Sequence, residues 1–251
     1  MNKRLLGVET ILVLGLSLGK SAVYSVLAII ERLTRSTPLG AQTSSLNNSV
    51  TPDRGWLDFC YQLVGNLFPF FVVALCFYLV SRVDPPTGSA RQTFGLSANH
   101  FGRDIAVGFG IAAAIGIPGL AFYLFAKHIG INTTVAAGNL TQTWWAIPMY
   151  VLAAFMNGAL EEVVMIGYLF TRWRQIGFKP GSIIAVSAVI RGCYHLYQGF
   201  GGAIGNLVMG LAFGYFYNKT HRLWPLIIAH TLLDIVSFVG YALLNGRLSW
   251  L

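Results

Sequence analysis

Long apolar runs separated by short polar breaks set the reading of this chain. Seven apolar segments stand out, at 5–30, 57–81, 104–126, 143–170, 181–197, 203–217 and 223–245. A helix needs about 20 apolar residues to cross a bilayer. The fifth and sixth segments are shorter, as a helix enclosed by protein rather than lipid can be. The pattern predicts an all-α, polytopic transmembrane helical bundle of about seven spans, with six to eight as the range. Gly19-Lys20-Ser21 interrupts the first segment and divides it into two shorter helices. Its apolar run resumes after Lys20 without a clear cleavage site, so it reads as a retained anchor rather than a signal peptide. Ser, Thr, Asn and Gly crowd 31–55 and 127–142, as expected of solvated loops. Pro85-Pro86-Thr87-Gly88 marks a turn, and Gly201-xxx-Gly205 and Gly210-xxx-Gly214 put small residues on helix faces that pack closely.

Composition fixes the solvent. Of 251 residues 55% are hydrophobic and only 10% charged, with a mean hydropathy of +0.62. A soluble domain carries about 25% charged residues, so this chain cannot cover itself in water. One membrane domain is expected, with N-terminal spans and loops over 1–140 and a core that holds the intramembrane ionisable groups over 141–245. The net charge of +8 reads as basic loops facing the cytoplasm. Lys3, Arg4, Arg82, Arg91, Arg103, Arg172, Arg174, Lys179, Lys219 and Arg222 then lie inside, and Arg32, Arg35, Arg54, Lys127 and Arg247 outside. This excess predicts a multi-pass protein of the cell membrane with a cytoplasmic N-terminus. Trp56, Trp144, Trp145, Trp173, Trp224 and Trp250 fall near segment ends, where indole rings favour the interface. No basic stripe is interleaved with exposed aromatics, so nucleic acid is not an expected partner. Cys60, Cys76 and Cys193 lie in apolar runs and show no paired spacing.

Ionisable groups in the spans need a reason, since each costs at least ~2.5 kcal/mol at mid-depth. Glu9 and Lys20 interrupt the first segment without a depth that the pattern fixes. The remainder fall together. At ~1.5 Å of rise per residue from the cytoplasmic ends, Glu161 and Arg191 lie roughly 16 Å deep. On the same count His195 lies roughly 22 Å deep, Asn206 and Asp234 roughly 18 Å, and His230 roughly 12 Å. His230 and Asp234 are four apart and share a helix face. The adjacent Glu161 and Glu162 repel each other, which makes one of them a candidate proton acceptor, and histidine adds a second proton carrier. Arg191 is a candidate ion-pair partner for the glutamates, and Asn206 a candidate supporting hydrogen-bonding group.

Three stretches resemble the motifs of the CPBP intramembrane proteases, the family of CAAX-prenyl proteases and of bacteriocin-processing or immunity (Abi) proteins. Glu161-Glu162-Val163-Val164-Met165-Ile166-Gly167-Tyr168-Leu169 resembles EExxxR followed by Gly-Tyr-Leu. Tyr194-His195 closes a stretch similar to FxxxH, and His230-Thr231-Leu232-Leu233-Asp234 is similar to His-xxx-Asn/Asp. The resemblance covers roughly residues 145–240. Two positions depart from it: Ile166 stands at the motif arginine and Arg191 at the motif phenylalanine. The matched depths predict that Arg191 brings the missing cation to the carboxylates from the neighbouring helix.

The resemblance implies an endopeptidase whose substrate is a peptide or a membrane protein in the lipid bilayer. It implies Glu161 as general base with His195 as its partner, and His230 and Asp234 as the oxyanion site. An ionised Asp234 only accepts hydrogen bonds, so it must carry a proton or act through His230. No cofactor is implied. Glu161, His195 and His230 would also suit zinc, although no His-Glu-xx-His stretch specifies it. A proton-coupled transporter or a non-catalytic scaffold or immunity protein would use the same groups differently.

Overall fold

The computed structural model describes residues 3–82 and 88–247, so Trp250 and most of the Pro85–Gly88 turn lie outside the described residues. The chain is an all-α polytopic helical bundle. It opens with α1 (Lys3–Leu16) and α2 (Leu18–Leu33), which meet at a 54° bend at Ser17. α3 (Gly55–Leu67) and α4 (Phe70–Arg82) form one apolar span, interrupted where Pro69 removes a backbone donor. A short α5 (Ala90–Thr93) precedes α6 (Phe101–His128). α7 (Ala146–Glu162) runs through a π-helical turn, Val163–Tyr168, into α8 (Leu169–Ile176), and together they make a 31-residue span. α9 (Pro180–Tyr194), α10 (Phe200–Thr220) and α11 (Trp224–Leu244) complete the set.

Each of the seven apolar segments read from the sequence has a helical counterpart. Five of these are long and apolar enough to cross a membrane, six if the bent α1–α2 pair is one span, and α9 is a shorter apolar helix. α11 lies against both α6 and α7, and α9 lies between α2 and α10. Gly158 lets α7 approach α11 closely. A Cβ there would stand 2.7 Å from Thr231 Oγ1 and 3.1 Å from the Ile227 carbonyl oxygen. Gly210 lets α10 close on Ala188 of α9 in the same way, as the small-residue pattern predicts.

Four local expectations change in three dimensions. Arg172, grouped above with the cytoplasmic charges, is fully buried. Its Nε and the Tyr168 hydroxyl both donate to Glu9 Oε1, at 2.7 and 2.8 Å, and its Nη2 donates to the Leu79 carbonyl. The Glu9 carboxylate thus ties α1 to the span that carries the glutamates. Trp145 is buried in a core with Tyr150, Phe238 and Tyr241 rather than set in an interfacial belt. The loops at 31–55 and 127–142 are not simply solvated. β1 (Thr43–Ser45) from the first pairs in parallel with β2 (Thr134–Ala136) from the second, and Gln42, Ser44, Asn132 and Thr133 are buried. Finally, α9 ends at Tyr194, so His195 lies just beyond the helix rather than within it.

Candidate active site

The π-turn begins directly after the paired glutamates, and its six residues are all buried. A π-turn inserts a residue into the α-helical ladder and disturbs its hydrogen bonds. Ser187 of α9 donates to the Met165 carbonyl at 2.9 Å, and Thr171 donates to the Gly167 carbonyl at 2.7 Å. These hydroxyls satisfy backbone oxygens that neither lipid nor apolar neighbours can reach.

Glu162 is fully buried. Its Oε1 accepts hydrogen bonds from Arg191 Nη2 and from His230 Nδ1, each at 2.7 Å. Arg191 therefore does meet the glutamates from α9, although it belongs chiefly to Glu162; its Nη1 stands 3.8 Å from Glu161 Oε2. The guanidinium also lies 5.6 Å from the centroid of the Phe213 ring. Because the His230 Nδ1 position faces a carboxylate beside a guanidinium, the proton on that bond belongs to the imidazole. That fixes the ring and leaves Nε2 pointing toward Glu161 and Asp234.

Glu161 Oε2 is the convergence point. The Tyr194 hydroxyl donates to it at 2.7 Å, His230 Nε2 lies at 3.9 Å, and His195 Nε2 lies at 4.0 Å. Both ring nitrogens of His195 lack a protein hydrogen-bond partner. Asp234 Oδ1 is 4.0 Å from His230 Nε2, and Oδ2 accepts from Asn157 Nδ2 at 2.9 Å. Five of the residues singled out from the sequence, Glu161, Glu162, His195, His230 and Asp234, thus share one cluster with Arg191. Asn206 does not join its hydrogen bonds: the amide donates to the Gly202 carbonyl one turn back on α10.

Two contributors escape the sequence reading. Tyr194 falls within the quoted stretch, yet nothing in the spacing shows that its hydroxyl reaches Glu161. Asn157 carried a signal, since it is a polar residue in an apolar span, four before Glu161 and hence on its face.

The His195 turn is held from outside this cluster. A 3-10 turn, Leu196–Gln198, follows it, and Gly199 adopts a φ of 114° that favours glycine. Ser25 of α2 accepts from the Tyr197 amide at 2.7 Å, and Ser44 of β1 donates to the Tyr197 carbonyl at 2.9 Å. The Thr133 amide and hydroxyl both donate to the Gln198 carbonyl, and Asn132 Oδ1 accepts from the Gly202 amide. The N-terminal half therefore supplies the frame on which His195 rests.

Residues 143–236 match the family model described as type II CAAX prenyl endopeptidase, Rce1-like. The motif resemblance is borne out over that segment. The matched residues include both glutamates, both histidines, Asp234, Arg191 and Asn157. No curated protein and no solved structure matches the chain. Among the described residues, no three His, Cys, Asp or Glu side chains are arranged to hold a metal ion.

Proposed function

We propose that this integral membrane protein is an intramembrane endopeptidase that hydrolyses a peptide bond with water activated by Glu161 and His195. The observation that carries this reading is the convergence of Tyr194, His195 and His230 on Glu161 Oε2. The Rce1-like match over 143–236 supports the reaction class. The 4.0 Å between Glu161 Oε2 and His195 Nε2 is too long for a hydrogen bond and suits one bridging water. Glu161 takes a proton from that water as its oxygen bonds to the peptide carbonyl carbon. The carbonyl electron pair moves to oxygen, giving the tetrahedral oxyanion. As that pair returns, the carbon–nitrogen bond breaks, and the proton held at Glu161 passes to the leaving amine.

In this reading Glu162 and Arg191 form a sealed support. Glu162 holds His230 by Nδ1, and Arg191 balances the buried carboxylate. A peptide or membrane-protein substrate would reach the cluster at Asp234 and His195, whose side chains are 21% and 15% exposed. Glu162, at 0%, is closed off. The charge excess supports a cytoplasmic N-terminus.

Glu161→Gln is the direct test. It preserves size and polarity but cannot take the proton. Membrane proteomes of cells carrying wild type and Glu161→Gln should differ by a peptide boundary that only wild type produces. Retention of every wild-type boundary by a well-folded Glu161→Gln protein would remove the proposed base and the activity with it. His195→Ala and His230→Ala should each abolish the same boundary, and the double variant should be no worse than the worse single, since groups acting as one unit are not additive.

A further inference from the structure

We propose that Asn157 is a further catalytic residue, its side-chain amide donating a hydrogen bond to the oxyanion while Asp234 holds that amide in position. The inference rests on the endopeptidase reading above and adds a residue that the three motifs do not contain.

Three observations carry it. The first is a chemical deficit at position 234. A carboxylate there has no hydrogen to give an oxyanion, and it repels one. The second is what the carboxylate holds. Asp234 Oδ2 lies 2.9 Å from Asn157 Nδ2, across the α7–α11 interface. An amide opposite an ionised carboxylate must present its NH2, since its own oxygen would be repelled. One N–H is used by Asp234, and the second has no hydrogen-bond partner among the described residues. The third is placement. Asn157 precedes Glu161 by one helical turn on the same face, and it is partly exposed, beside the open edge of the cluster at Asp234. A carbonyl attacked by water from Glu161 would have its oxygen turned away from that carboxylate, toward Asn157 and His230 Nε2. Asp234 is then a positioning residue, and an amide reaches the oxyanion from α7 where the resembling motif allows an asparagine on α11.

The proposal also accounts for a pair that simple helix adhesion explains poorly. Asn157 and Asp234 are both partly exposed and stand, with His195, at an open side of the cluster. A pair serving only to hold helices would gain most where lipid and water are both excluded.

The experiment uses the purified full chain in detergent micelles. The probe is a quenched fluorescent peptide spanning the Glu161-dependent boundary. Asn157→Ala should lower kcat by about 10²–10³, the loss typical of one oxyanion donor, with KM and melting temperature little changed. Adding Asp234→Asn to Asn157→Ala should return kcat by at least about tenfold, since it supplies an amide from the other helix. The exchange variant N157D/D234N keeps one amide and one carboxylate in contact. It should fold as wild type even if Asn157→Ala does not, and it should retain cleavage. Wild-type kcat in Asn157→Ala overturns the proposal. So does a folded exchange variant that is inactive, or a loss in Asn157→Ala that follows melting temperature and is not relieved by Asp234→Asn. Cleavage that needs Glu161 but not Asn157 overturns this inference alone. Absence of any Glu161-dependent cleavage overturns the endopeptidase reading, and this inference falls with it.

Discussion

Arg191 shows what a single substitution at a motif position does. The span of the glutamates carries Ile166 where an arginine is usual, and Ile166 is fully buried in the π-turn. The cation arrives instead from α9, 2.7 Å from Glu162. Removing it with Arg191→Phe strands a buried carboxylate, and breaking a buried pair typically costs ~3–5 kcal/mol. Arg191→Phe should therefore lower the yield of extracted protein, its melting temperature and its cleavage. Ile166→Arg alone should harm the protein by overpacking a filled core. Combined, the two changes rebuild the motif arrangement and should recover much of what Arg191→Phe loses, a coupling that a double-mutant cycle measures. A double variant worse than either single would show that positions 166 and 191 do not serve the same carboxylates. Residue identities and depths alone brought Arg191 to the glutamates. Which glutamate it meets required the relative rotation of α7 and α9.

Between elements, the decisive contact is α7 against α11, because it joins both glutamates to His230. Gly158 sets that contact, and Gly158→Ala would push its Cβ to 2.7 Å from Thr231 Oγ1 and 3.1 Å from backbone atoms. Overpacking of this kind costs about 1–3 kcal/mol. The helices would part where His230 Nδ1 meets Glu162 at 2.7 Å. Gly158→Ala should therefore lower cleavage by a larger factor than its melting temperature alone explains. Gly119→Ala, on α6 with nothing within 4 Å of its added Cβ, should leave both unchanged. Equal losses from the two glycines would show that the α7–α11 spacing is not critical. The π-turn belongs to the same scale. No local pattern announces it, since Val163–Tyr168 reads as ordinary apolar helix, and Ser187 from α9 takes its Met165 carbonyl.

Over the whole molecule, the two ends of the bundle differ. At one end β1, β2 and the His195 turn are hydrogen-bonded together. At the other, Arg222 donates to Asp104 and to the Asn99 carbonyl, and the Leu223 amide donates to the Gly95 carbonyl. If the N-terminus is cytoplasmic, as the charge excess predicts, the second end faces the cytoplasm. In a variant with Cys60, Cys76 and Cys193 replaced, a membrane-impermeant maleimide should label Asp53→Cys in intact cells. It should label Lys219→Cys only after permeabilisation. The reverse pattern would invert the topology.

The sequence by itself determined the solvent, the class of fold and the identity of the ionisable groups that cluster within it. Those follow from quantities additive along the chain: the length of an apolar run, the cost of a charge within it, and the depth counted from its end. The 181–197 segment, His230 and Asp234 are legible for that reason. Tertiary structure alone decided how the groups are shared out. Glu9 found Tyr168 and Arg172 across 159 and 163 residues of separation. Loops that read as solvated became the frame of the His195 turn, and Asn157 came to face Asp234. Such contacts depend on helix rotation and on the approach that glycines such as Gly158 permit. In a low-dielectric interior, an ångström of that approach separates a hydrogen-bonded pair from an uncompensated charge.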